Sequence, residues 1–186
     1  MNRFLILSLC ITAVASKTCP VFSPVTGFNL TAYMGKWYEV ARYPAPFEIG
    51  ATCVFAEYTL EENKEGKYVK VNNTALKKGE YESSIGVATQ PENGVGAFLV
   101  TFSKFMPTPK TPNYNILSLE YGKYALVYSC TQVFDVPHVA SYRIEFAWIL
   151  SRENTLEEEK IEEMIDILKS LGSNYEQMIR TEQKNC

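Results

Sequence analysis

The sequence predicts an all-β domain: an eight-stranded antiparallel up-and-down barrel with one C-terminal helix packed outside it. Three observations carry this. Eight short segments rich in Val, Ile, Tyr and Phe recur between turn residues. No helical segment falls between them, which argues for hairpin connections and against a parallel sheet. One long segment of helical period follows the eighth strand. Eight antiparallel strands can close on themselves and remove both vulnerable edges, and a barrel of that size either fills its interior or encloses one small ligand.

The chain opens with MNRFLILSLCITAVAS, in which Arg3 is a short basic region, Phe4 to Ile11 an apolar run and Ala13-Val14-Ala15 a small-residue exit. This reads as a secretory signal peptide over residues 1–16, cut near Ala15 or Ser16, with a single domain over 17–186 and an extracellular destination. The run is too short for a membrane anchor, and no later segment stays apolar for a membrane span. Strands are expected at 36–43, 53–60, 67–75, 80–89, 96–103, 113–119, 123–130 and 142–150. Turns fall at 61–66, at Lys77-Lys78-Gly79 and at Pro91-Glu92-Asn93-Gly94. The helix is expected over 155–171. Thr155 with Glu158 makes a capping box, Glu157 to Glu159 suit the positive end, Lys169 suits the other, and Gly172 caps it. Ile161, Met164, Ile165, Leu168 and Leu171 form the stripe that packs on the barrel. Glu159, Glu162, Asp166 and Lys169 form the wet face.

Net charge is −3, and loss of Arg3 with the signal makes the mature chain one unit more negative. Basic residues cluster only at Lys77-Lys78, so nucleic acid is excluded as a partner. Cys10 leaves with the signal. Cys19, Cys53, Cys130 and Cys186 remain, which in a secreted chain means two disulfides in one of three pairings. There is no CxxC, and no metal site is expected. Asn29-Leu30-Thr31 and Asn72-Asn73-Thr74 are glycosylation sequons. No catalytic residue is assigned. The mature chain has one histidine, His138, beside Pro137, there is no G-x-S-x-G, and Gly94-Val95-Gly96 is too short to cradle phosphate. The paired carboxylates Glu61-Glu62 and Glu157-Glu158-Glu159 sit on a turn and a helix start, where solvent explains them. The protein is therefore expected not to be an enzyme and to require no cofactor.

Gly35-Lys36-Trp37-Tyr38-Glu39-Val40-Ala41-Arg42-Tyr43-Pro44 carries a resemblance to the lipocalins: a Trp shortly after a Gly at the first strand, matched by Arg152 just after the last. The resemblance implies that Arg152 packs across Trp37 and closes the narrow end of the barrel, a structural role for Gly35, Trp37 and Arg152 that suits the attraction between an indole face and a guanidinium. With Ala56-Glu57-Tyr58, Asn115-Ile116-Leu117-Ser118 and Tyr128-Ser129-Cys130, the chain resembles the apolipoprotein D group, and within it the insect bilin-binding proteins. Matches run from Cys19 to Cys186. That group's arrangement implies the pairs Cys19–Cys130 and Cys53–Cys186. The second signature, normally Thr-Asp-Tyr, reads Leu119-Glu120-Tyr121 here, so the acid survives and the hydroxyl is lost.

Alternation places Tyr142, Ile144, Phe146, Trp148 and Leu150 on one strand face and Arg143 and Glu145 on the other, with the uncharged face inward. Phe98, Val100 and Phe102 share a face in the same way. The resemblance implies that these faces line a cavity, with Asn73, Ala75, Tyr114, Ile116, Ala125, Val127 and Ser129 at pocket positions. The expected ligand-binding set is Phe47, Asn73, Ala75, Phe98, Phe102, Tyr114, Ile116, Ser129, Ile144, Phe146 and Trp148. The competing reading is a barrel simply filled by its rings. The rim loops hold Pro46, Phe47, Ile49, Phe105, Met106, Val133, Phe134 and Val136, stiffened by prolines. Such loops fit a portal for an apolar ligand, a protein contact or a lipid surface. The function expected is a secreted carrier of a small hydrophobic molecule: biliverdin, fatty acid, retinoid, sterol or carotenoid. A bilin or carotenoid chromoprotein and a protein-recognition module are the alternatives. Some of the resembled relatives have a histidine where this chain has Ala75, a departure that weakens the bilin assignment.

Overall fold

The computed structural model describes residues 18–64, 66–102, 109–133, 142–184 and 186. The expected signal peptide lies outside them, as do the rim residues Phe105, Met106, Pro107, Phe134, Val136, Pro137 and His138. All eight expected strands are present: β1 (Gly35–Arg42), β2 (Thr52–Asn63), β3 (Gly66–Lys77), β4 (Glu80–Thr89), β5 (Ala97–Thr101), β6 (Tyr114–Glu120), β7 (Tyr124–Val133) and β8 (Tyr142–Ser151). Each pairs antiparallel with the next, and β1 pairs with both β8 and β2, so the sheet closes into a ring. Four short elements carry no clear signal in the sequence: a single helical turn, α1 (Leu30–Tyr33), 3-10 turns at Pro46–Glu48 and Tyr175–Gln177, and a two-residue strand, β9 (Ile179–Arg180).

The hydrophobic core has two layers, one inside the ring and one outside it. Inside, Phe28, Tyr33, Trp37, Tyr58, Val69, Val71, Phe98 and Ile116 pack together. Outside, Val40, Ala41, Leu126, Tyr128, Ala147 and Ile149 meet Ile161, Met164 and Leu168 of the long helix, α2 (Glu158–Ser170). The expected stripe therefore buries as the sequence implies, apart from its margins at Ile165 and Leu171. The start of α2 differs. Its N-cap is Glu157, without a side-chain cap, so the Thr155 capping box does not form. Instead the Thr155 carbonyl accepts from the Ser151 hydroxyl at 3.0 Å, which ties the approach segment to the end of β8. The other end follows expectation. Gly172 adopts a positive φ of 69°, Ser173 N–H reaches the Leu168 carbonyl and Gly172 N–H the Lys169 carbonyl, a Schellman closure that needs a left-handed residue at that point.

Cys19 is bonded to Cys130 and Cys53 to Cys186. The second bond anchors a C-terminal strap. β1 pairs with β2 only over Gly35–Tyr38; further along, β1 takes β9 as its neighbour. Thr181 N–H donates to the Val40 carbonyl, and the Gln183 amide donates to the carbonyls of both Glu39 and Val54. The strap thus satisfies backbone groups that would otherwise stand unpaired where β1 and β2 diverge.

Candidate functional site: the barrel interior

One end of the barrel is sealed. The Arg152 guanidinium lies 3.7 Å from the centre of the Trp37 ring. It donates to the carbonyls of Tyr121, Lys36, Ala32, Tyr33 and Met34, at distances from 2.7 to 3.2 Å. The Trp37 indole N–H donates to the Tyr33 carbonyl at 2.9 Å, and its side chain is fully buried. Gly35 takes a φ of +93°, so backbone conformation calls for glycine there, while a Cβ would lie at an ordinary contact distance of 3.5 Å from Arg152. Trp37, Arg152 and Gly35 are brought together as a closing device.

Above this seal lies a cavity of about 450 Å3, within the size range of small-molecule pockets. Val54, Ala56, Val69, Val71, Ala88 and Leu150 supply its aliphatic wall. At its floor the Tyr114 hydroxyl shares hydrogen bonds with those of Tyr33 (2.7 Å) and Tyr58 (3.0 Å). Burial raises the pKa of all three phenols, so they remain neutral and able to donate. At the mouth, Phe47 meets Phe146 at 5.6 Å and Phe146 stacks on Trp148 at 5.8 Å. Phe47 and Phe102 remain exposed there.

Of the eleven residues expected to meet ligand, Phe47, Asn73, Phe98, Phe102, Tyr114, Ser129, Phe146 and Trp148 lie on the cavity wall, and Ala75, Ile116 and Ile144 do not. Each exception has a local cause. A bulge in β2 sets Cys53 and Val54 against Ala75, Cys53 taking a positive φ of 52°. Val54 holds the wall position there. Ile116 is fully buried in the packed end, within 3.2 Å of where a Cβ on Gly96 would lie. Ile144 stands near the rim and is exposed. Ala125 and Val127 likewise belong to the packed interior and are not on the wall.

The wall also contains two residues missing from the sequence assignment, Glu39 and Glu48. Glu39 is almost wholly buried. It accepts from Arg42 at 2.6 Å and from the Thr181 hydroxyl at 2.5 Å. Glu48 Oε2 accepts from the Trp148 indole at 3.4 Å and stands 3.7 Å from Arg42 Nε. Two carboxyls therefore share one guanidinium in a largely dry site. Burial, and then the neighbouring Glu39, push the Glu48 carboxyl up to about 8, against the opposing pull of Arg42. Burial also raises Glu39, opposed chiefly by Arg42. A signal for Glu39 did exist, since it alternates with the buried Trp37 along β1. Glu48 sits in a short 3-10 turn, where no periodicity could have marked it.

A raised carboxyl in a pocket is also what acid–base catalysis uses. Here Glu39 is held by Arg42 and Thr181, and among the described residues no group of three His, Cys, Asp or Glu is set to hold a metal ion. Of the sequon residues, Asn29 is exposed at the N-cap of α1, its side chain accepting from Ala32 N–H. Asn72 lies half-buried within β3.

Residues 28–183 match a family described as a lipocalin-like domain. Apolipoprotein D of Mus musculus is 38% identical over 168 residues, covering 90% of this chain and 84% of the relative. Insecticyanin-B of Manduca sexta is 30% identical over 183 residues, covering 92% and 84%. The solved structure of insecticyanin from the tobacco hornworm, Manduca sexta, superimposes with a TM-score of 0.73 at 25% identity, covering 90% of this chain and 87% of that one.

Proposed function

The chain belongs to the lipocalin family, and we propose that it is a secreted carrier that holds a small hydrophobic molecule in its barrel and protects it from water. The observation that carries this reading is the 450 Å3 cavity walled by aliphatic side chains and aromatic rings. Apolar burial contributes about 25 cal/mol per Å2, and a few polar groups orient what is bound. The four cysteines in two disulfides support an oxidising, extracellular setting. Resemblance to bilin-binding proteins favours a linear tetrapyrrole among the ligands, while the absence of a histidine at Ala75 argues against a bond to imidazole there.

Trp148 reports the test. Its emission should quench or shift when retinol or biliverdin enters, and Trp148→Phe should lose most of that signal. Ala88→Phe adds a ring at a wall position. It should weaken binding at least tenfold while leaving the melting temperature within a few degrees. A collapsed melt for Ala88→Phe, with no binding of any hydrophobic probe by the native protein, would retire the carrier reading. An absorption spectrum of the protein from its source, with bands in the red, would identify a bilin directly. The exposed apolar rim at Phe47 and Ile49 supports a second reading, docking of a protein or lipid surface at the mouth. Ile49→Ser, at an exposed rim residue that does not line the cavity, would then weaken docking and leave retinol affinity within threefold.

A further inference from the structure

The cavity is apolar, but its polar groups are not evenly divided between donors and acceptors. Among the described lining residues the charged side chains are Glu39 and Glu48, and no Lys or Arg faces the space. Arg42, the nearest cation, is turned to the protein: Nη1 donates to Glu39 and Thr181, and Nη2 to the Glu48 and Ala51 carbonyls. Asn73 also lines the cavity, and its buried side-chain oxygen has no hydrogen-bond partner among the described residues, nor has the buried Arg42 Nε, 3.7 Å from Glu48. The upper wall is thus rich in acceptors and poor in positive charge.

Resting on the carrier reading, we propose that the Glu48 carboxyl, held in place by Arg42 and Trp148, selects ligands by headgroup. The cavity takes hydrophobic molecules whose polar end is uncharged and donates hydrogen bonds, such as an alcohol, an amide or a pyrrole N–H. It rejects those that must bury a carboxylate beside Glu48, and tolerates a carboxylate that stays in solvent outside the mouth. A ligand hydroxyl at the mouth would donate to Glu48, and leaving a buried acceptor unpaired is costly. A ligand carboxylate at the same place would meet two acids that already compete for one guanidinium, in a setting where an unpaired buried charge is strongly unfavourable. At the floor the tyrosine trio offers only neutral hydroxyls, so reversing the ligand does not supply a cation either. Burial, and then the neighbouring Glu39, raise the proton affinity of Glu48 in this same place, against the pull of Arg42.

Retinol and retinoate share a polyene and differ at the headgroup, so they isolate the effect. Titrated at pH 9, where a Glu48 carboxyl pushed up to about 8 is ionised, with Trp148 emission as the readout, retinol should bind at least tenfold more tightly than retinoate. In Glu48→Gln, which removes the acid and keeps the shape, the ratio should shrink at least threefold through a gain for retinoate. Equal affinities, or a preference for retinoate, in the native protein would overturn the headgroup rule while leaving the carrier reading intact. Failure of both retinoids to bind would overturn both. An unchanged ratio in a folded Glu48→Gln would remove Glu48 from the explanation. Should that variant not fold, the native ratio alone decides.

Discussion

The two ends of the barrel each contain an arginine, and the contrast between their partners explains why one end is shut and the other can work. Arg152 at the narrow end spends its donors on five backbone carbonyls and its face on an indole. None of those partners titrates, so the seal is indifferent to pH and can be packed densely. Arg42 at the wide end is shared by two carboxyls and a threonine from the C-terminal strap. That arrangement leaves one acid without a full counter-charge and facing a cavity. Dense aromatic packing gives the closed end its strength, and incomplete charge pairing gives the open end its chemical selectivity.

The largest expected effect tests the seal. Trp37→Ala removes a fully buried indole and should cost about 3–5 kcal/mol in a denaturant melt. A loss below about 1 kcal/mol would mean that the closed end is not where stability is concentrated. Next comes the strap. Replacing Cys53 and Cys186 together by Ser should lower stability by roughly 2–4 kcal/mol. Because the strap also holds Glu39 through Thr181 and Gln183, this variant should disturb the acid pair and bind retinol more weakly, whereas opening Cys19–Cys130 should not.

Arg152→Ala should cost about 1–3 kcal/mol, through the lost cation–π contact and the carbonyls it leaves unpaired. Retinol affinity measured well below the melt should stay within twofold. Abolished affinity with unchanged stability would move Arg152 into the binding site and erase the contrast between the ends.

The smallest effect is the one that distinguishes the two arginines by pH. Glu48 titrates near 8 in the folded chain against an ordinary 4.5. The folded state therefore holds the proton more tightly, and the stability this contributes is complete below pH 4.5 and is lost as pH rises through about 8. Glu39 and Arg42 of β1 face it, Tyr58 of β2 faces Glu39, and Lys77 of β3 binds the Phe47 carbonyl beside it. Between pH 5 and 8.5 the native protein should lose stability steadily in denaturant melts, the direction that the raised Glu48 carboxyl sets. Glu48→Gln should flatten most of that slope. Arg152→Ala should leave the slope as it is, and a change there would show that the two ends are electrically coupled.

Much of the fold could be read directly from the chain. Period-two alternation and turn residues located all eight strands, because pleat direction and φ preferences are local properties of a few neighbouring residues. The stripe on α2 and the glycine at its end were legible for the same reason. Its start was misread because Ser151 competes for the segment that would have formed the capping box. On β8, alternation placed Phe146 and Trp148 on the cavity wall correctly. Ile144, on the same face, stands off the wall where the strand runs toward the rim, and Ala75 of β3, which the family resemblance placed at the pocket, gives way to Val54 across a bulge in β2.

What the chain determines by itself is therefore the ring, the outer helix, the pairing of Trp37 with Arg152 once the family resemblance is seen, and a supply of apolar groups for an interior. Only the tertiary structure decided which part of that interior is packed and which is open, and it alone assembled Glu39, Arg42, Glu48, Trp148 and Thr181. Those five come from a strand, a short 3-10 turn, the last strand of the ring and the C-terminal strap, with up to 142 positions between hydrogen-bonded partners. Periodicity relates residues two to four positions apart. A charge shared among five side chains depends on barrel closure and on the disulfide that draws the tail across, and no local pattern records either.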